Sequence, residues 1–166
     1  MNTTGRNERD HFSIDRNYDA SMQEIWDLWT TKDGIESWWG PEGFDVTVSS
    51  IDLRPGGQLI YQMTATAPQM LSFMQSQRMP LSTECRVTYL EVSPPSRLAY
   101  STRTDFVTGV PPYDVTTLVE LQKTQLGVKL TVTSEVMHDD IWTERARAGH
   151  ESQLRKLDAL ISARGI

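Results

Sequence analysis

Residues 115–161 read VTTLVELQKTQLGVKLTVTSEVMHDDIWTERARAGHESQLRKLDALI, and the spacing of their apolar side chains changes once along the stretch. Up to Val136, apolar residues recur at every second position, as in a strand with one buried face. From Ile141 they recur at steps of three and four, as on one face of a helix. The stretch therefore predicts strands at 115–122 and 128–136, followed by a helix of about 20 residues and about 30 Å.

Two acidic residues and a glycine mark the ends of that helix. Asp139 or Asp140 can accept hydrogen bonds from the first turn, and Gly165 lies just past the expected end. Arg145 and Gln153 interrupt an otherwise apolar face. We expect this face to pack against the sheet that the preceding strands form.

The chain before residue 115 carries the same kinds of signal. They place a strand at 12–18, helices at 22–29 and 35–39, and strands at 44–49, 59–63, 83–92 and 97–104. Ser21 and Glu24 form the capping-box pattern at the start of the first helix. Asp33-Gly34 is expected to separate the two helices.

This order of elements predicts an α+β domain of the helix-grip type. Strands joined by short turns make a seven-stranded antiparallel sheet with one buried face. Such a sheet curves, and the long C-terminal helix closes its concave side, with two short helices after the first strand. We expect residues 11–166 to form this single domain and residues 1–10 to be a flexible tail.

A net charge of −6 over 166 residues excludes several function classes. Phosphate backbones and anionic membrane surfaces bind basic faces, so we expect no nucleic acid partner and no membrane partner. Residues 1–10 lack the apolar core of a signal peptide, and no apolar run is long enough to predict a membrane span. The single cysteine, Cys85, cannot form an internal disulfide. Together these features predict a cytoplasmic protein.

A helix about 10–12 Å wide cannot fill the whole concave face of a curved sheet. The space left over would have the aromatic and aliphatic lining that is typical of small-molecule sites. The residues predicted to face inward and to bind a small apolar ligand are Trp26, Trp39, Tyr61, Met63, Tyr89, Tyr100, Val119, Leu130, Trp142, Leu154 and Leu157. The alternative is that the same residues close-pack and leave no void.

Trp38 and Trp39 are adjacent, so a helix over 35–39 would point only one of them inward. We expect the other to be partly exposed and to cover the end of the sheet. The alternative is that an exposed tryptophan marks a contact surface.

The sequence shows no set of residues with catalytic or metal-binding spacing. His11, His138 and His150 are far apart, and none pairs with another at the spacing of metal ligands. We therefore predict no metal site and no cofactor. Cys85 is interpreted as an inert thiol, because no histidine or lysine adjoins it.

Several polar side chains are candidates for the cavity wall. They are Arg16, Tyr61, Gln62, Tyr89, Tyr100, Arg103, Asp105, Glu120 and His150. An arginine with a carboxylate there could orient a ligand carbonyl, but a structural ion pair between strands is the favoured interpretation.

Three stretches of the sequence together resemble one known family. They are Trp26–Trp29 followed by WWGPEGF at 38–44, DLRPGG at 52–57, and EVSPPSRL at 91–98. They are similar to the domain family related to the C-terminal half of the activator of Hsp90 ATPase. That family belongs to the START-like (SRPBCC, Bet v 1-like) superfamily. The resemblance covers residues 12–163.

The resemblance implies the helix-grip fold and a deep hydrophobic cavity under the last helix. Superfamily members bind lipids, sterols, polyketides or plant hormones, and some are enzymes. The co-chaperone that gives the family its name has a separate N-terminal domain, which this sequence lacks, and this argues against activation of Hsp90.

The segment 66–82 is longer than a usual hairpin link. Thr66 could cap a short helix that starts at Pro68, and the methionines and Phe73 that follow make an apolar patch. We hypothesise that the segment is a lid over the cavity or the contact of a homodimer. The alternative is an ordinary surface excursion that packs onto the core.

Three functions are open on the sequence alone. The first is binding of a small hydrophobic ligand of lipid, polyketide or aromatic type, as a carrier or sensor. The second is an enzyme that uses the cavity, such as a cyclase, dehydratase or hydrolase, with no catalytic residue assigned. The third is a stress-response module that contacts a chaperone through the surfaces at 38–44 and 68–79.

Overall fold

The protein is described by a computed structural model, which covers residues 10–105 and 107–164. Most of the predicted tail, and Gly165, lie outside the described residues. The elements in chain order are β1 (His11–Tyr18), α1 (Met22–Thr30), α2 (Lys32–Glu36), β2 (Phe44–Ile51), β3 (Gln58–Ala65), α3 (Pro68–Ser76), β4 (Ser82–Ser93), β5 (Arg97–Thr104), β6 (Tyr113–Thr124), β7 (Gly127–Glu135) and α4 (Asp140–Arg164).

The seven strands form one antiparallel sheet in the order β1-β7-β6-β5-β4-β3-β2. The sheet curves around α4, and α1 and α2 follow β1, so the helix-grip prediction is confirmed. Leu154, Leu157 and Ile161 of α4 pack in one core with the inner face of the sheet. None of the described helices combines the length and the hydropathy needed to cross a bilayer.

The capping box of α1 is confirmed in both directions. The Glu24 amide donates to the Ser21 hydroxyl over 3.1 Å, and the Ser21 amide donates to a Glu24 carboxylate oxygen over 2.9 Å. Asp139 has the corresponding role at α4, where its Oδ1 accepts from the amide of Trp142 over 2.8 Å. Local capping chemistry therefore sets where both helices begin.

The predicted break at Asp33-Gly34 is wrong, because α2 runs through both residues. Gly34 is needed there for close approach. A Cβ atom at this position would overlap the carbonyl oxygen of Asp27 and lie 2.8 Å from the Cα of Leu28. The glycine lets α2 pack directly against α1.

The prediction that one of the paired tryptophans is partly exposed is also wrong. Because α2 ends at Glu36, Trp38 and Trp39 lie beyond the helix, where a 100° step between side chains no longer applies. Their exposed fractions are 0% and 5%. The Trp38 indole donates to the carbonyl of Leu28 over 2.8 Å.

The helix at Pro68 is present, but Thr66 does not cap it. The N-cap position is Ala67, which makes no side-chain capping bond. The Thr66 hydroxyl instead donates to the carbonyl of Gly43 over 3.3 Å, and the amides of Thr66 and Ala67 donate to the same carbonyl. The start of α3 is thus tied to the turn before β2.

Candidate functional site

The inner face of the sheet changes character along its central strands. Leu98, Val119 and Val132 lie directly opposite one another on β5, β6 and β7. Two residues along each strand, the equivalent positions are Tyr100, Thr117 and Ser134, which we call the hydroxyl row. Their exposed fractions are 5%, 3% and 1%. The aliphatic row fills the core, whereas Thr117 and Ser134 leave space above them because they are small.

The inner face of helix α4 also changes from aliphatic to smaller and more polar side chains. Its C-terminal half places Leu154 and Leu157 on the aliphatic part of the sheet. Ala146 and His150 in its N-terminal half, and Gln153 near its middle, lie above the hydroxyl row. The short side chain of Ala146 thus faces those of Thr117 and Ser134 across one end of the helix–sheet interface. A cavity of about 230 Å³ lies between them.

Aromatic side chains close another side of the cavity. The ring of Trp39 lies 5.5 Å from the ring of Tyr61, nearly perpendicular to it, and 6.1 Å from the ring of Tyr100. Val87 of β4 completes this wall. The side chain of Gln153 connects α4 to the segment after Trp39, because its Oε1 accepts a hydrogen bond from the amide of Gly40 over 3.1 Å.

Apart from Arg103, the polar groups in the described wall are uncharged at neutral pH. Burial lowers the pKa of His150 and raises the pKa values of Tyr61 and Tyr100. Arg103 also lines the cavity, but its side chain is largely exposed, and its Nε is 3.6 Å from a carboxylate oxygen of Asp114. The buried part of the wall is therefore electrically neutral, with hydrogen-bonding groups on an apolar background.

Some of these groups lack a hydrogen-bonding partner within the described part of the chain. They include the buried indole nitrogen of Trp39. In the core beside the wall, the buried hydroxyl of Tyr89, which is opposite Tyr100 on β4, also lacks one. The imidazole of His150 makes an edge contact with Phe12 at 5.9 Å but no hydrogen bond with a described residue. Unpaired buried polar groups are uncommon in proteins.

The structure brings Trp39, Tyr61 and Tyr100 of the predicted site to the cavity wall. The other predicted residues lie outside it. Trp26, Tyr89, Val119, Leu130, Leu154 and Leu157 are buried in the close-packed core, Met63 packs at its edge, and Trp142 lies against His138 and Arg145. A role for the whole predicted set in ligand binding stays a prediction.

Sequence reasoning missed the small residues that create the cavity. Thr117 and Ser134 occupy inward positions between or after valines. The signal that could have found them is therefore a small polar residue in a series of alternating apolar ones. Ala146 likewise stands on the inner face of the helix. What could not be read from one strand is that these positions are neighbours in space.

Besides Arg103, two more of the polar candidates are held in ion pairs. Arg16 donates to Glu151 over 2.8 Å and to Asp158 over 3.2 Å, so it joins β1 to α4. Glu120 accepts from Arg97 over 2.8 Å across neighbouring strands. Within residues 10–105 and 107–164, no group of three His, Cys, Asp or Glu side chains is placed to hold a metal ion.

Helix α3 contributes no residue to the described cavity wall. It buries Met74 but leaves Phe73 exposed by 56%, and the following Met79 is exposed by 47%. A role for the 66–82 segment as a lid or a dimer contact stays a prediction.

Comparison with known proteins places this geometry in a wider group. The family model described as "Activator of Hsp90 ATPase homolog 1-like protein" matches residues 19–162. No curated protein sequence matches the chain.

Solved structures share the fold over nearly the full chain. A protein from Chromobacterium violaceum is 25% identical with a TM-score of 0.73, covering 91% of this chain and 96% of its own. The AHSA1 protein from Silicibacter pomeroyi is 17% identical with a TM-score of 0.72, covering 94% and 100%. A protein from Arthrobacter aurescens is 21% identical with a TM-score of 0.70, covering 94% and 86%.

Proposed function

This chain belongs to the activator of Hsp90 ATPase homolog 1-like family, and from that premise we propose that the cavity under α4 binds one small, uncharged and largely apolar molecule. The observation that carries the proposal is a void at the point where the hydroxyl row faces Ala146 and His150. Further along the same helix, Leu154, Leu157 and Ile161 are buried in the core.

The size of the cavity limits the ligand. Its volume is about 230 Å³. An apolar cavity of about 150 Å³ binds benzene, and pockets for drug-sized molecules start at about 300 Å³. A molecule of one or two rings therefore fits without movement of the backbone. A long acyl chain or a sterol would require α4 to move away from the sheet.

The wall chemistry supports an aromatic or alicyclic ligand with few polar atoms. Trp39 and Tyr61 offer ring surfaces, which contribute dispersion and hydrophobic contact. The hydroxyl row and His150 offer hydrogen bonds that would fix the orientation of the ligand. An ionised ligand is disfavoured, because the buried part of the wall offers no counter-charge and the guanidinium of Arg103 already pairs with Asp114.

The test is binding of naphthalene, an uncharged two-ring probe, followed by amide and methyl NMR shifts. Ala146→Leu fills the cavity from the α4 side. Ala148→Leu makes the same change on an exposed part of the same helix and is the matched control. We expect naphthalene to shift signals from Thr117 and Ala146 in the wild type. Ala146→Leu should weaken binding at least tenfold, and Ala148→Leu should not change it.

Two results would overturn the proposal. One is the absence of any saturable shift in the wild type. The other is equal affinity in the two alanine variants. Native mass spectrometry of the gently purified protein gives an independent check, because a retained ligand appears as extra mass that denaturation removes.

A second candidate function is contact with a chaperone, as the family name suggests. The 38–44 surface cannot carry it as predicted, because both of its tryptophans are buried. Phe73 and Met79 remain as exposed apolar side chains. We propose that a double variant, Phe73→Ser with Met79→Ser, would lose binding to purified Hsp90 in a surface-plasmon experiment. Equal binding by the variant, or none by the wild type, would remove this candidate.

A further inference from the structure

His150 lies on α4 and lines the cavity, and its imidazole makes no hydrogen bond with the described residues. It is in the third turn of the helix, with Ala146 one turn before it. Its ring meets the edge of Phe12 at 5.9 Å. Phe12 is directly opposite Ser134 in the sheet, so it continues the line of the hydroxyl row onto β1.

The charged groups around His150 are each engaged elsewhere. Glu151, the next residue on α4, accepts from Arg16 of β1 over 2.8 Å. Arg147 lies over the ring of Phe12 at 4.6 Å. Arg103, on the opposite wall, pairs with Asp114. The imidazole therefore keeps its hydrogen-bonding capacity for whatever enters the cavity.

The opposite wall has complementary chemistry. Tyr100, Thr117 and Ser134 occupy paired positions on three neighbouring strands, and all three line the cavity. Ser134 donates its hydroxyl hydrogen to the carbonyl of Glu135 over 3.1 Å, which leaves the lone pairs of that oxygen as acceptors. A ligand that fills the space between this row and His150 meets polar groups at two edges and Trp39 at a third side.

We infer that the ligand is a hydroxylated aromatic compound whose hydroxyl group hydrogen-bonds to the imidazole of His150 while its ring lies against Trp39. A hydroxyl group both donates and accepts, so it suits either neutral tautomer of the imidazole. A carboxylate ligand fits less well, because the nearby guanidinium of Arg103 is exposed and paired. The inference rests on the proposed function and names the class of compound that the same cavity selects.

The experiment compares two probes of nearly equal shape, 2-naphthol and naphthalene, in the wild type and in His150→Leu. We expect the wild type to bind 2-naphthol about tenfold more tightly than naphthalene, near the upper limit for one net hydrogen bond. His150→Leu should reduce this ratio to about one. His11→Leu, at an exposed position on β1, is the matched control and should keep the ratio.

Further measurements keep the result interpretable if His150→Leu does not fold. His150→Asn retains hydrogen-bonding groups and should recover part of the preference for 2-naphthol. In the wild type, the imidazole nitrogen shifts of His150 should move on addition of 2-naphthol and stay nearly constant with naphthalene.

The outcomes separate this inference from the proposed function. If both probes bind the wild type equally, or if His150→Leu keeps the preference, the inference is wrong while cavity binding stands. If neither probe binds the wild type, or if Ala146→Leu does not weaken binding, the proposed function itself fails.

Discussion

The hydroxyl of Tyr18 in β1 donates a hydrogen bond to Oδ1 of Asp158 in α4 over 2.7 Å, across 140 residues of sequence. Arg16, on the same face of β1, donates to Oδ2 of the same carboxylate over 3.2 Å. The first strand thereby holds the last helix at a fixed height above the sheet.

We expect Tyr18→Phe to lower the free energy of unfolding by about 1 kcal/mol, because it removes a hydrogen bond to a carboxylate that keeps Arg16 as a partner. Urea unfolding measures the loss. The control is Ser13→Ala on the outer face of β1, whose exposed hydroxyl bonds only to that of Thr133. It should cost less than about 0.5 kcal/mol. An equal loss of stability in the two variants would contradict a specific contribution of the hydrogen bond to α4.

Two glycine-to-alanine substitutions should change the stability of the protein in opposite directions. Gly34→Ala forces a methyl group into the backbone of α1 and should destabilise the protein by about 3 kcal/mol. Gly149→Ala meets no atom within 4 Å and lies inside a helix, so it should stabilise the protein by about 0.5–1 kcal/mol. Thermal unfolding of both variants distinguishes them. A neutral Gly34→Ala would mean that α1 and α2 can separate at little cost.

The paired tryptophans should respond differently to substitution by phenylalanine. Trp38→Phe leaves the Leu28 carbonyl without its indole donor, whereas Trp39→Phe removes an indole nitrogen that has no partner in the described structure. We expect Trp38→Phe to cost about 1–2 kcal/mol more than Trp39→Phe. Chemical denaturation of the two variants gives the difference. The reverse order would mean that the Trp39 nitrogen is satisfied in solution.

Stability should fall as the pH drops below neutral, and His150 should account for part of the fall. Burial lowers the pKa of His150 in the folded protein below its ordinary value of about 6.5, against a weaker opposing effect of Glu151. In the interval between the two values the unfolded chain binds more protons, so acid favours unfolding there. One such group contributes up to about 1.4 kcal/mol per pH unit.

The measurement for this pH effect is the urea midpoint at pH 7.5 and 5.5. We expect His150→Gln to lose less stability over this range than the wild type. His11→Gln, which changes an exposed histidine, is the control and should follow the wild type. Parallel curves for the wild type and His150→Gln would contradict the prediction.

Local patterns were sufficient for most of the fold. The alternation in β6 and β7, the three- to four-residue steps in α4 and the capping box at Ser21 depend on neighbours in sequence, and all were confirmed. The errors at Gly34 and Thr66 have different causes. At Thr66 a contact with Gly43, distant in sequence, takes the place of the local cap. At Gly34 a local signal was missed, because the Thr31 hydroxyl accepts from the Gly34 amide and starts the helix at Lys32.

The sequence by itself determined the order of strands and helices, because the period of apolar residues and the caps are local properties of the chain. Only the tertiary structure decided where the cavity lies. Tyr100, Thr117 and Ser134 belong to three different strands, and the register of those strands makes them neighbours. His150 meets them because α4 crosses that end of the sheet, where small side chains on both surfaces leave space between them.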